Sequence, residues 1–552
     1  MPLHALISGR IATLAGADGF GWVEAIGIRD GRIAFAGSEV DLETRADPFT
    51  QRIRLEPDQI AIPGLTDAHL HLAQAAMAAT QVDLTSAATL ADGLERVRAA
   101  HVALPGDAWL EGHGWDSDRW GGWPTADDLE RVAPGRRVAI WAHDHHALWT
   151  SQAALAMAGL GSSAQSGADD PPGGVVRRTP DGHPEGVLLE AATRLVTVHV
   201  PPPTADALAS AIAALGRELI SLGVVACHDP GGVAPDPALT YSYPVYARLS
   251  DAGRLPVRVH ASMRDDAVAA AVDQGFRSGA ILGSNPEGRA RVGWQKCFAD
   301  GSLGSRTAAL LEDIEDEGDR PLAPALRRGV WMTDPEGLAE RVERATAGGI
   351  TTQIHAIGDA AIRAALTILA PGARQQTLMP RIEHVQMLHP DDRPRFAANG
   401  IAASVQPVHL GSDAAQARKL WGERAEAEGY TWRAIADTGA VMAFGTDAPV
   451  EPIDPWPGLA LAVLREDARW PAGTPAYAPE EALTLERALR ANCVDPAISA
   501  RETDRGRLTV GQRADVVIID AASIDEPVTP GGPLSTTRPQ MVLVDGEVVF
   551  ET

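Results

Sequence analysis

The sequence predicts an α/β protein: a (β/α)8, TIM-like barrel carrying a small β-sandwich domain built from both chain ends and a large insertion after the first barrel strand. Three observations lead there. Eight short apolar runs alternate with helical stretches through the middle of the chain, which is the pattern of a parallel barrel. The first and last segments share a different, strand-rich pattern. No G-x-G-x-x-G phosphate loop follows the first run, as a doubly wound open sheet would usually show.

The eight runs are Ile60–Leu65, Gly223–Ala226, Val257–Val259, Val292–Phe298, Thr352–Ile354, Arg381–Val385, Ile401–Val405 and Val441–Phe444. Helix-like segments such as Ala205–Leu222, Pro335–Ala347, Ala360–Leu369 and Trp432–Asp437 separate them. At the ends, Ala5–Leu14 and Ile26–Gly37 alternate like strands around Asp30-Gly31. The runs Ala514–Asp520, Met541–Val544 and Val548–Phe550 do the same around Asp545-Gly546. Asp-Gly between apolar runs is a strong hairpin signal. These readings place residues 1–60 and 486–552 in a composite β domain and 61–485 in the barrel.

Roughly 150 residues separate the first and second barrel runs, far more than a βα connection takes. The stretch 72–215 is therefore a structured insertion, expected to cover the active-site face. It holds Trp109, Trp115, Trp120, Trp123, Trp141 and Trp149, six of the thirteen tryptophans.

Composition narrows the class. The formal charge of −25 argues against nucleic acid and anionic membranes, which require clustered positive charge. Three scattered cysteines, Cys227, Cys297 and Cys493, build no disulfide framework and fit a reducing cytoplasm. No basic leader is read at the start, and no run approaches the ~20 apolar residues of a spanning helix. The expectation is a soluble cytoplasmic protein, with a homodimer as the default assembly.

Chemistry-bearing residues cluster at the predicted strand ends. Thr66-Asp67-Ala68-His69-Leu70-His71 places two histidines on one side of a strand, where they can chelate one metal. Lys296 lies among apolar neighbours in the fourth run, a costly position for a cation unless it is paired or chemically altered. His355, His384 and Asp447 end the fifth, sixth and eighth runs. Barrels build their active sites at these C-terminal strand tips. Nitrogen-rich tips and a carboxylate converging on one face point to a metal site.

In order, residue type and strand position, His69, His71, Lys296, His355, His384 and Asp447 resemble the metal pattern of the amidohydrolase superfamily. The segments Phe298–Ala308, His355-Ala356-Ile357-Gly358-Asp359 and Phe444–Pro449 are similar to its YtcJ-like branch, amidohydrolase family 3. So are Gly112–Asp116 and Gly182–Gly186 in the insertion, and the resemblance covers almost the whole chain. It implies a binuclear centre in which Lys296, carboxylated by CO2, bridges two divalent metals. His69, His71 and Asp447 would hold one metal, and His355 and His384 the other. Zinc suits these ligands first, with manganese, iron or nickel as alternatives. Metals about 3.5–4 Å apart would share a hydroxide that attacks a carbonyl. Asp447 would then carry its proton to the leaving nitrogen.

Around this centre, His146 is a candidate substrate contact, although Ser151-Gln152 departs from the Asn-Ser that usually follows in the family. Trp115 is a candidate apolar wall, and Arg306 a clamp for a substrate carboxylate or a loop ion pair. Asp359 is expected to cap a helix, and Cys297 to face the core. The implied activity is hydrolysis of a non-peptide carbon–nitrogen bond in a small amide, N-acyl or N-formyl compound with an apolar or aromatic part. The alternatives are a deaminase or an ester or lactone hydrolase, and further off an inactive scaffold.

Overall fold

The computed structural model describes residues 3–143, 147–160, 170–171, 174–231, 241–315 and 327–552. The chain forms two compact units, one of Met1–Ala73 with Gly216–Thr552 and one of Gln74–Leu215.

The larger unit contains the barrel. Its parallel strands are β1 (Leu65–Asp67), β2 (Val224–Asp229), β3 (Arg258–Arg264), β4 (Ala290–Phe298), β5 (Thr352–Ala356), β6 (Arg381–His384), β7 (Ala402–Val405) and β8 (Met442–Phe444), adjacent in that order. Every residue of β2, β6, β7 and β8 is buried, as expected for strands covered on both faces. The β1–β8 seam is joined just past the strands, where Ala68 N–H donates to Phe444 O at 2.8 Å and Asp447 N–H to His69 O at 2.6 Å. Asp67 braces the seam, accepting from Thr446 N–H at 3.1 Å and Thr446 Oγ1 at 2.6 Å. Burial pushes its carboxyl up to about 7.

The run Ile60–Leu65 is not one barrel strand. Gln59–Pro63 pairs with Val516–Asp520 in the terminal sheet, and the barrel begins at Leu65. Gly64 makes the crossing: its N–H bonds Asp515 O at 3.0 Å, while Leu65 N–H bonds Gly223 O at 2.9 Å. A Cβ on Gly64 would lie 2.6 Å from a Val225 methyl, so the chain changes sheets where only glycine fits.

Both chain ends share one eight-stranded sheet. Its order is Glu547–Glu551, Met541–Val544, Val516–Asp520, Gln59–Pro63, Ala5–Ala12, Trp22–Arg29, Arg32–Gly37, with Gln51–Arg54 beside Ala5–Ala12. Both Asp-Gly turns take positive φ at each residue (52° and 73°, 51° and 77°), the twist that closes a two-residue hairpin. Ile7, Ile11, Ile26, Ile28, Val516 and Leu543 fill one face. The helix Leu485–Ser499, divided from the barrel at 485/486 by the sequence reading, packs on the barrel: Asp495 accepts from Met442 N–H in β8 at 3.1 Å.

The unit Gln74–Leu215 has its own six-stranded sheet and a core containing Trp115, Trp149, Leu110, Val138 and Ile140. Capping boxes at Thr89 with Asp92 and Thr125 with Asp128 begin the helices Leu90–Ala103 and Ala126–Val132.

Candidate metal centre

The site forms where β1, β6 and β8 end. His69 and His71, two residues apart past β1, turn their Nε2 atoms to one oxygen of Asp447: each lies 3.3 Å from Oδ1. His384 at the end of β6 has Nδ1 4.0 Å from Oδ2 of the same carboxylate. His384 and Asp447 both stand at positive φ, 74° and 63°, in a left-handed conformation that side chains rarely adopt. Such a kink turns a strand end toward its neighbours.

In His69 and His71 the nitrogen away from Asp447 is already engaged, and in His384 the nitrogen nearer Asp447 is engaged too. His69 Nδ1 lies 2.5 Å from Glu383 Oε2, His71 Nδ1 bonds Gly231 O, and His384 Nδ1 bonds Gln406 Oε1 at 2.8 Å. Carboxylate, carbonyl and amide oxygens accept, so each Nδ1 carries the hydrogen and each Nε2 keeps its lone pair. His69 Nε2 is buried without a hydrogen-bond partner. A cation would satisfy that atom, and the donor set of two imidazoles and a carboxylate oxygen, all within 4.8 Å of one another, fits a divalent metal.

Electrostatics agree. Burial lowers His69 to about 4 and His384 well below the usual imidazole range, keeping both neutral as ligands must be. Asp447 is held well below the carboxylate range: burial opposes ionisation, but His69, His71 and His384 around it prevail. Glu383 is likewise held down by Arg381 and His69 against its burial.

Lys296 in β4 is 1% exposed, with Nζ 5.0 Å from the Phe298 ring centre. Burial lowers its amine to about 8, and its charge acts on His69, His355 and His384. His355 stands beside His384, ring centres 4.5 Å apart, but its Nε2 bonds Gly301 O at 3.0 Å. The group meeting Asp447 Oδ2 is instead His384 with His409, whose Nε2 lies 3.5 Å away. His409 follows β7 in Pro407-Val408-His409 and carried no spacing signal; its one clue was its place at a barrel strand end.

Glu383 was also missed as a functional residue. It bridges His69 to Arg381, whose Nε lies 3.0 Å from Oε1. Arg381 is fully buried and also bonds Gln353 Oε1 at 2.8 Å and Ala68 O at 3.0 Å.

Trp115 is 1% exposed in the core of its own unit, its indole N–H donating to Ile140 O at 2.9 Å, so the ring is committed to packing. Arg306 is half-buried in the loop past β4 at a left-handed φ of 59°, its N–H on Leu303 O at 3.0 Å. His146 lies outside the described residues. Asp359 is not the cap; Gly358 holds that position, while Asp359 accepts from Leu311 N–H at 2.8 Å and pairs with Arg424. Cys297 is buried, as expected. No helix among the described residues is long and apolar enough to cross a membrane.

Comparison with known proteins places the chain in a family. The chain is 31% identical to Protein LONG AFTER FAR-RED 3 of Arabidopsis thaliana, over 92% of this chain and 85% of that protein. It is 29% identical to the putative amidohydrolase YtcJ of Bacillus subtilis (strain 168), over 96% of each. Identity to the N-substituted formamide deformylase of Arthrobacter pascens is 26%, over 96% of this chain and 95% of that one. An uncharacterized metal-dependent hydrolase from Pyrococcus furiosus superposes with a TM-score of 0.73 at 25% identity, over 94% of this chain and 98% of that one. The model of the amidohydrolase family matches residues 58–550, and the chain belongs to that family.

Proposed function

We propose that this chain is a metal-dependent hydrolase that cleaves the carbon–nitrogen bond of a small N-acyl or N-formyl compound, with N-substituted formamides as the first substrates to test. The observation that carries this reading is the convergence of His69 Nε2, His71 Nε2 and Asp447 Oδ1, with the opposite nitrogen of each imidazole fixed by an oxygen acceptor. A relative along nearly the whole chain is a formamide deformylase, which supports the substrate class.

Two divalent metals, zinc first, would be held by His69, His71, His355, His384, Asp447 and carboxylated Lys296, supplying a water of lowered pKa and a Lewis acid for the scissile carbonyl. The chain's own groups do the rest. Asp447, ionised by its imidazole neighbours, accepts the proton of the attacking water and returns it to the leaving nitrogen. Lys296, brought down to about 8 by burial, presents a neutral amine at mildly alkaline pH. That amine adds to CO2 and releases a proton, converting a buried cation into an anionic oxygen ligand.

The test is metal stoichiometry by mass spectrometry on protein purified without chelator in bicarbonate buffer, followed by formate release from N-alkyl and N-aryl formamides. About two metals per chain and turnover of a formamide are expected. Metal uptake should rise with pH through about 8 as Lys296 loses its proton. Lys296→Ala should lose one metal, with partial rescue by a short carboxylic acid. A wild-type protein that takes up neither zinc nor manganese would overturn the reading.

A further inference from the structure

His409 meets the same carboxylate as the ligand histidines, yet its hydrogen bonding runs the other way. Its side chain is largely buried at the start of the helix His409–Trp421, its ring stacked on His384 at 12° with centres 6.0 Å apart. Its Nε2 is buried, carries no hydrogen bond and lies 3.5 Å from Asp447 Oδ2. Its Nδ1 faces Gln386 Nε2 at 3.4 Å.

The orientation of that amide decides which imidazole nitrogen is protonated. Gln386 Nε2 also lies 3.2 Å from Asp413 Oδ2, which accepts from Tyr430 OH at 2.8 Å. A carboxylate oxygen requires the NH2 of Gln386 to face it, because the flipped amide would set oxygen against oxygen. The same NH2 then faces His409 Nδ1, which becomes an acceptor and leaves the hydrogen on Nε2. The Gln386 Oε1 left buried without a partner is the cost of this arrangement. In His69, His71 and His384 an acceptor sits on Nδ1; in His409 a donor does.

We infer that His409 is a positioning residue and not a metal ligand: its Nε2–H is aimed at Asp447 Oδ2 by the chain Tyr430–Asp413–Gln386. This rests on the hydrolase reading of the site. Asp447 then divides its two oxygens, Oδ1 toward His69 and His71, Oδ2 toward a hydrogen-bond donor. The donor fixes the plane of the carboxylate and disfavours chelation of a metal through both oxygens, so that Oδ2 stays available for proton transfer.

The test joins metal binding, NMR and kinetics. In deuterated protein labelled with 15N-histidine, the His409 ring should show its N–H at Nε2, identified by its disappearance in His409→Gln. Gln386→Leu, which leaves the imidazole in place, should shift that resonance. His409→Phe should bind zinc within about threefold of wild type, whereas His71→Ala should bind at least tenfold more weakly. With the formamide that proves the best substrate, kcat for His409→Phe should fall about 10–100-fold while KM moves less than threefold. Should His409→Phe misfold, Gln386→Leu supplies the same split between kcat and metal affinity. An N–H at Nδ1, or zinc lost from His409→Phe as from His71→Ala, overturns the proposal. Absence of zinc binding in the wild type overturns the hydrolase reading instead, and the imidazole resonance still decides the tautomer of His409.

Discussion

At the scale of single residues, Glu383 decides which nitrogen of His69 faces the centre. It holds His69 Nδ1 at 2.5 Å and is itself oriented by Arg381, all three side chains being buried. Glu383→Gln can still accept one hydrogen bond, but it removes the charge opposite Arg381 and weakens the hold on the tautomer. Such partners of metal-binding histidines typically contribute 10–100-fold to metal affinity or activity, so zinc affinity measured against a chelator should fall by about that factor. Affinity equal to wild type would remove Glu383 from the centre. His69, His71, His384 and Asp447 could be read as a cluster because histidine and aspartate at apolar strand ends are costly unless they bind something. Glu383 and His409 were hidden for a physical reason. A glutamate beside a histidine in sequence bears on it only through the fold, and here it supports His69, 314 positions away.

At the scale of elements, the β1–β8 seam sets the distance between the histidines and their carboxylate. Gly445 follows β8 so closely against β1 that a Cβ would lie 2.4 Å from His69 N and 2.9 Å from Asp67 Oδ1. Neither atom can yield without disturbing the seam, since the backbone N–H of His69 itself bonds Asp67 Oδ1 at 3.0 Å. Gly445→Ala should therefore cost about 1–3 kcal/mol as overpacking and weaken zinc binding as well. Unchanged stability and unchanged zinc affinity, by denaturant titration and chelator competition, would show that the seam gives freely. The strands were largely readable from apolar runs, because a parallel strand buried on both faces has no polar alternation to obscure it. The exception was Ile60–Leu65. Its hydrophobicity is continuous, but Gly64 transfers the chain from one sheet to another, a division fixed by Val225 and Asp515 in segments far along the chain.

At the scale of the larger unit, the barrel and the two chain ends are fastened through Arg258. From β3 it pairs with Asp515 at 2.8 Å and Asp545 at 2.5 Å, both on the C-terminal segment that completes the terminal sheet. The Arg258–Asp515 pair is almost wholly buried, with side chains 9% and 6% exposed. Asp545 keeps Arg289 at 3.2 Å and Arg513 at 2.9 Å when Arg258 is removed, whereas Asp515 has no second ion pair among the described residues. A buried charge stripped of its partner costs about 3–5 kcal/mol, while replacing both members by neutral groups is often close to neutral. Arg258→Met should therefore lower the unfolding midpoint of this unit sharply, and Arg258→Met with Asp515→Asn should recover most of the loss. Because the pair lies away from the histidine cluster, zinc stoichiometry at temperatures below the transition should stay the same in both variants. A double variant as unstable as the two single losses added together would mean that Asp515 does not depend on Arg258, and that other contacts, the Arg289–Asp545 pair among them, hold the terminal sheet to the barrel.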